Sequence, residues 1–235
     1  MESKPSAHPS LLRRLINLDA AVSLHLYTFF HPILPFSLLK SLELSGDGRL
    51  FFPITLSILL FNTTPTSATI LLLNLLIGLI LDLLLIGLTK HLIQRPRPVY
   101  NKNMFLSFAV DHWSFPSGHS SRVSFIATFC SFYSRQIADF WLVKLPNFDA
   151  HSWIVEYFAL IVWLWAGITS VSRVLLGRHF VLDVVAGVLL VKNLSVEVID
   201  HDVMIEDAYF WFLREKSELS LGSTVTVCTI YDVAN

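Results

Sequence analysis

Apolar and polar positions along this chain fall in long blocks, not at the short periods of a soluble helix or strand. Ala21 to Leu39 is apolar and aromatic but carries Pro32 and Pro35, which predict a kink. Leu50 to Phe61 is short and reaches spanning length only with its flanks, back through Gly46 to Arg49 or on through Thr64. Ala68 to Thr89 is almost all Leu and Ile. His119 to Arg135 and Trp153 to Val171 follow, and Phe180 to Val191 is the last run. A helix needs about 20 apolar residues to cross the hydrocarbon, so the final run is about half a span. The pattern predicts an all-α fold, a multi-pass membrane bundle of about six helices whose last member is truncated where Lys192-Asn193 breaks the apolar run.

Polar segments separate these runs, and Lys90 to Gly118, with Pro96, Pro98 and Pro116, is the longest. No repeat or low-complexity tract divides the chain. The simplest partition is a polar N-terminal segment (residues 1–20), a membrane-embedded domain (residues 21–192) and a divergent C-terminal tail (residues 193–235) ending in the strand-like Ser223 to Tyr231. Met1 to Asn17 lacks a compact apolar stretch before a small-residue cleavage site, so no cleaved signal peptide is expected. If the runs from Ala68, His119, Trp153 and Phe180 each cross once, the ends at Lys90, Gly118, Arg173 and His179 emerge on one side. Lys4, Arg13 and Arg14 favour a cytosolic N-terminus, which puts that side on the non-cytosolic face.

Composition agrees with a membrane protein: 54% of the 235 residues are hydrophobic, 15% are charged, and mean hydropathy is +0.60. A net charge of −1 leaves no electrostatic footprint for nucleic acid. Cys130 and Cys228 are the only cysteines, too few for a disulfide framework or a thiolate metal site.

Against that background three polar blocks stand out, Lys90 to Pro98, Phe115 to Ser121 and Ser172 to Asp183, because charge beside a bilayer is expensive. Lys90 and Arg97 are seven residues apart, two helical turns, and offer a point charge and a planar fork to phosphate oxygens. Taken singly, they would read as cations snorkelling at a helix end. Pro116-Ser117-Gly118-His119 makes a turn into an apolar helix whose first N–H groups are free for an anion. Ser117 adds a hydroxyl, and His119 is placed to protonate a leaving oxygen; the plainer reading is a helix cap with a surface histidine. His179 and Asp183 are four apart, so the carboxylate can hold one ring nitrogen and leave the other nucleophilic. A surface ion pair is the plain alternative there. Zinc on His119, His179 and Asp183 is a further one, disfavoured by the cations Lys90, Arg97 and Arg173, which would repel a dication and attract a phosphate dianion. Asp82 and Asn74, inside the Leu/Ile run, read as helix-packing residues. Arg95, Arg122 and Arg178 read as tuning local charge.

In order, spacing and identity, Lys90 with Arg97-Pro98, Pro116-Ser117-Gly118-His119, and Ser172-Arg173 with His179 and Asp183 resemble the three-part signature of the type 2 phosphatidic acid phosphatase superfamily. The resemblance covers roughly Leu50 to Leu190, and the Ser114-to-Arg122 stretch looks most like plant lipid phosphate phosphatases and polyisoprenoid diphosphate phosphatases. It implies an acid phosphatase/vanadium haloperoxidase-like helical core in an internal membrane such as the endoplasmic reticulum. It also implies hydrolysis of phosphatidate to diacylglycerol and phosphate, or of related lipid phosphates or polyisoprenyl diphosphates, without metal or cofactor. His179 would be the nucleophile forming a phosphohistidine, Asp183 its orienting acid and His119 the general acid and base. Lys90, Arg97, Ser117, Gly118 and Arg173 would bind the phosphoryl group. The broken last run departs from the family pattern and raises a second reading, a catalytically impaired lipid-binding protein.

Overall fold

The computed structural model describes residues 11–61, 66–100, 112–138 and 153–200, with side chains at 66–67, 153–156 and 192–200 excepted. The strand-like Ser223 to Tyr231 lies outside them. The chain divides into two compact units, Met1–Ser195 and Val196–Asn235, and the site belongs to the first. Its helices are α1 (Leu11–Phe30), α2 (Phe36–Ser45), α3 (Gly48–Phe61), α4 (Thr66–Ile93), α5 (Gly118–Phe132), α6 (Trp153–Leu175) and α7 (Val181–Asp200). Among the described residues no strand forms, only an isolated bridge between Pro96 and Trp113.

Among the described residues, two segments are long and apolar enough to cross a bilayer alone, Ala68–Ile93 and Tyr157–Leu175. The pair α2 and α3, bent by 41° at the Gly46-Asp47 break, is long and apolar enough only when the two helices are taken together. Their outer faces expose Leu83, Leu84 and Leu88 on α4 and Leu160, Ile161, Leu164 and Ile168 on α6. Exposed apolar side chains on this scale suit lipid, not water. The interior is the reverse: Asn74, Asp82, Ser121, Arg122, Thr169, Ser172 and Arg173 are buried. Asp82 of α4 accepts a hydrogen bond from the Ser121 hydroxyl of α5, and its other oxygen lies 3.6 Å from Arg122. This is the helix-packing use its place in an apolar run suggested. Apolar contact completes the bundle, with Val123 and Ala127 of α5 against Ala166 of α6, and Leu39 of α2 against Leu175 and Leu176.

Two boundaries differ from the sequence reading. The helix bearing Lys90 stops at Ile93, so Arg97 lies in a loop, not two turns further along the same helix. Pro96 explains it: the residue before a proline avoids helical geometry, and Gln94 turns the chain out at a positive φ of 51°. The last helix does not stop at Lys192-Asn193 but continues to Asp200; only its apolar portion, Val181–Val191, is short. No Gly or Pro follows Gly187 until Gly222, so nothing local breaks the helix where the apolar run ends.

Candidate active site

The third block owes its shape to the end of α6. Gly177 adopts φ +69°, the Arg178 amide donates to the Arg173 carbonyl at 2.9 Å, and the Gly177 amide donates to the Val174 carbonyl at 2.9 Å. These are the paired bonds of a Schellman motif, which reverses the chain after its left-handed glycine. The turn carries His179 back beside Arg173, and its amide also reaches the Arg173 carbonyl, at 3.3 Å.

His179 is buried, and its two ring nitrogens meet different partners. Nδ1 lies 2.7 Å from the Ser114 carbonyl oxygen, while Nε2 lies 3.3 Å from Arg97 Nη1. A carbonyl can only accept and a guanidinium only donate, so Nδ1 carries the proton and Nε2 presents its lone pair. Burial above all, and then the charges of Arg97, Arg173 and Lys90, hold the imidazole pKa well below the ordinary histidine range; the bond to Ser114 opposes the shift without cancelling it. The ring is neutral at pH 7.

The first block is clipped to the segment before α5. The Ser114 amide donates to the Arg95 carbonyl at 2.7 Å, its hydroxyl to the Pro96 carbonyl at 3.1 Å, and Lys90 Nζ to the Trp113 carbonyl at 3.2 Å. Arg97 donates to the Arg178 carbonyl at 2.8 Å, which aims its guanidinium at His179. Ser117 is the N-cap of α5, its hydroxyl oxygen accepting from the Ser120 amide at 3.4 Å and from the Ser120 hydroxyl at 2.9 Å. The plain cap role is thus real, yet it satisfies only the Ser120 amide, and the Gly118 and His119 amides of the first turn have no acceptor within the helix. His119 Nε2 is buried without a hydrogen-bond partner among the described residues.

Asp183 lies 3.8 Å from His179 Nδ1, beyond hydrogen-bond reach. One of its oxygens accepts from the Phe180 amide at 2.9 Å and the other pairs with Arg95 Nη1 at 2.7 Å. The close acceptor for the ring proton is therefore the Ser114 carbonyl, and Asp183 adds charge one step behind it. Arg173 Nη1 makes a 2.7 Å ion pair with Glu43 of α2, which also lies 3.7 Å from Arg178 Nε and accepts from Lys40 at 2.6 Å. Lys90, Arg97, Ser117, Gly118, His119, Arg173, His179 and Asp183 thus come from four separate parts of the chain to one end of the bundle. Lys90, Ser117, Arg173, His179 and Asp183 are buried, whereas Arg97, Gly118 and His119 are partly exposed.

Residues 71–191 match the PAP2 superfamily, and every one of those eight residues lies within the match. The chain belongs to that superfamily. It is 38% identical over 196 residues to "Probable lipid phosphate phosphatase beta" of Arabidopsis thaliana, a match covering 79% of this chain and 89% of that protein. Its fold is similar to the crystal structure of a transmembrane PAP2 type phosphatidylglycerolphosphate phosphatase from Bacillus subtilis, with a TM-score of 0.61, 24% identity, and coverage of 84% of this chain and 89% of that one. This PAP2 superfamily member is an integral membrane phosphatase. Three residues of its site region were given no role by the sequence reading, Ser114, Glu43 and Asp19. Ser114 acts through its carbonyl, which any residue carries; Glu43 and Asp19 sit outside the matched range, and only their rarity in largely apolar segments marks them.

The α5 and α7 backbones of this superfamily member touch. The Ser117 amide donates to the Asp183 carbonyl at 2.9 Å, and a Cβ added at Gly187 would stand 2.5 Å from the Ser117 carbonyl oxygen. Gly187→Val is therefore expected to push α7 off the start of α5. A displacement of about 1 Å at reacting groups costs on the order of 10²-fold in rate. The check is kcat with purified protein in detergent, and a rate within about threefold of the parent would show that the close approach is dispensable.

Proposed function

We propose that this protein is a lipid phosphate phosphatase that hydrolyses the phosphomonoester of phosphatidate or a related lipid phosphate through a phosphohistidine on His179. The observation that supports it most is the imidazole itself, with its proton donated to the Ser114 carbonyl and its Nε2 lone pair beside Arg97 in a cluster of cations.

In the first step Nε2 attacks phosphorus, the bond from phosphorus to the lipid oxygen breaks, and His119 gives that oxygen a proton, releasing an alcohol such as diacylglycerol. In the second, His119 takes a proton from water, the water oxygen attacks phosphorus, and the N–P bond breaks to free phosphate and neutral His179. Lys90, Arg97, Arg173 and the first-turn amides at Gly118 and His119 hold the phosphoryl oxygens and offset their charge as the bonds exchange. Asp183 favours the positive charge that His179 acquires while phosphorylated. Ser117 serves chiefly by shaping the turn.

The membrane-embedded domain is read as residues 21–192, with the site on the non-cytosolic face of the endoplasmic reticulum or another internal membrane. The basic N-terminal residues Arg13 and Arg14 and the parity of the spans support that face.

Purified protein given phosphatidate, lysophosphatidate, farnesyl diphosphate and presqualene diphosphate in mixed micelles is expected to release phosphate fastest from a monoester, with acid-labile phosphate trapped on His179 in a quenched reaction. Faster turnover of the diphosphates would reassign the substrate class. Binding without turnover of any of the four would favour the impaired lipid-binding reading.

A further inference from the structure

The start of α7 lacks a cap of its own. Phe180 occupies the N-cap position, and its side chain offers no acceptor to the orphan amides of the first turn. Asp183, at the third helical position, reaches back to the Phe180 amide, which is one half of a capping box. The other half comes from α1, far away in sequence. The Ser23 hydroxyl oxygen accepts from the Val181 amide at 3.0 Å, and Asp19 Oδ1 accepts from the Leu182 amide at 3.0 Å.

Asp19 does more than cap. Its second oxygen takes Arg95 Nη2 at 2.7 Å, and the other arm of the same guanidinium takes Asp183 at 2.7 Å. Arg95 also stacks 4.1 Å above the Phe180 ring, which fixes the plane of its fork. Both carboxylates are buried, with side chains 2% and 0% exposed. One cation shared between two carboxylates leaves the trio with a net charge of −1. Were Asp19 neutral, Arg95 would cancel Asp183, and the negative potential behind His179 would fall just where the imidazole must gain positive charge.

We propose that Asp19 and Arg95 are positioning residues for the reaction: through Arg95, α1 sets both the placement of α7 and the net negative charge that Asp183 presents to His179. The inference rests on His179 as the nucleophile. It extends the working site to a helix beyond the residues matched by the superfamily.

The groups facing His179 are Lys90 of α4, Arg97 of the following loop, His119 of α5, Arg173 at the end of α6 and Asp183 of α7. Glu43 of α2 stands behind Arg173, and Tyr100 lies near Asp19 and Asp183. Burial first, then Asp19, Tyr27 and Asp183 in that order, pushes the Tyr100 hydroxyl up to about 12, so it stays protonated in the useful range. None of these groups changes in the variants that follow.

The test measures kcat, KM and the acid limb of the pH profile for the full chain. Asp19→Asn should lower kcat about tenfold with KM within about twofold, and move the acid limb down by about half a pH unit, because losing a negative charge makes His179 harder to protonate. Arg95→Gln should move that limb up, and the double variant should return it close to the parent position, because the net charge near Asp183 is again −1. Ser23→Ala removes a cap without a charge and should leave the limb in place. Rates that fall in step with melting temperature in all four variants, with no opposed limb shifts, would overturn the proposal and leave α1 a structural clamp. If Asp19→Asn does not fold, Arg95→Gln alone decides by the direction of its limb. Full activity in His179→Ala would instead remove the nucleophile assignment itself, a separate failure.

Discussion

His179→Ala is expected to lower phosphate release by about 10³-fold or more, the scale seen when a nucleophile that acts as one unit with its partners is removed. Truncation deletes the Nε2 lone pair and with it the covalent intermediate, while the cations and amides around it remain. Substrate binding should therefore survive, with KM changed far less than kcat, and acid-labile phosphate on the protein should disappear. In the parent chain the acid limb should lie below the ordinary histidine value of 6.5, because burial and the surrounding cations keep the ring neutral as pH falls. The sign follows from the role: a nucleophile must be unprotonated, and a depressed pKa extends that state to lower pH. Single-turnover measurements across pH, with labelled substrate and acid quench, check both. Retained turnover with labelled protein would move the nucleophile to another residue, and His119 is the first alternative.

Glu43→Ala should carry the largest cost to stability. Arg173 and Arg178 have side chains only 1% exposed, and Glu43 is their shared carboxylate. Removing the carboxylate takes away the 2.7 Å ion-pair partner of the buried Arg173 guanidinium, at a cost of about 3–5 kcal/mol. Melting temperature in detergent should fall by several degrees, and the variant that folds should lose activity as Arg173 leaves its place. Glu43→Gln keeps the volume and one acceptor, so it should recover part of the stability but little of the ion pairing. A melting temperature unchanged in Glu43→Ala would mean that water or lipid phosphate reaches those guanidinium groups and replaces the carboxylate.

These outcomes bear on how an active site is assembled from an apolar chain. The superfamily could be read from residues 90–183 alone, because cations, a Pro-Ser-Gly-His turn and a His-Asp pair at helical spacing rarely occur together at the edges of apolar runs. The Schellman turn at Gly177 was also readable in principle, as a lone glycine just past a helix end, and it explains why Arg173 and His179 meet despite lying on opposite sides of a reversal. The spacing argument placed Lys90 and Arg97 on one helix, and the structure brings both near His179 by another route. They converge through Pro96 and the Trp113 segment, not along one helix.

By itself the sequence determined that this is a helical membrane protein of the PAP2 superfamily and which side chains are the candidates for its chemistry, since apolar run length and rare charge beside it are properties of single segments. Only the tertiary structure decided how those side chains are held. The proton of His179 goes to a backbone carbonyl 65 residues away, Asp183 meets Arg95 across 88 residues, and α7 is capped by α1 across 158 and 163. A carbonyl acceptor has no residue type to announce it, and a cap supplied by another helix depends on packing, which forms only once the bundle closes.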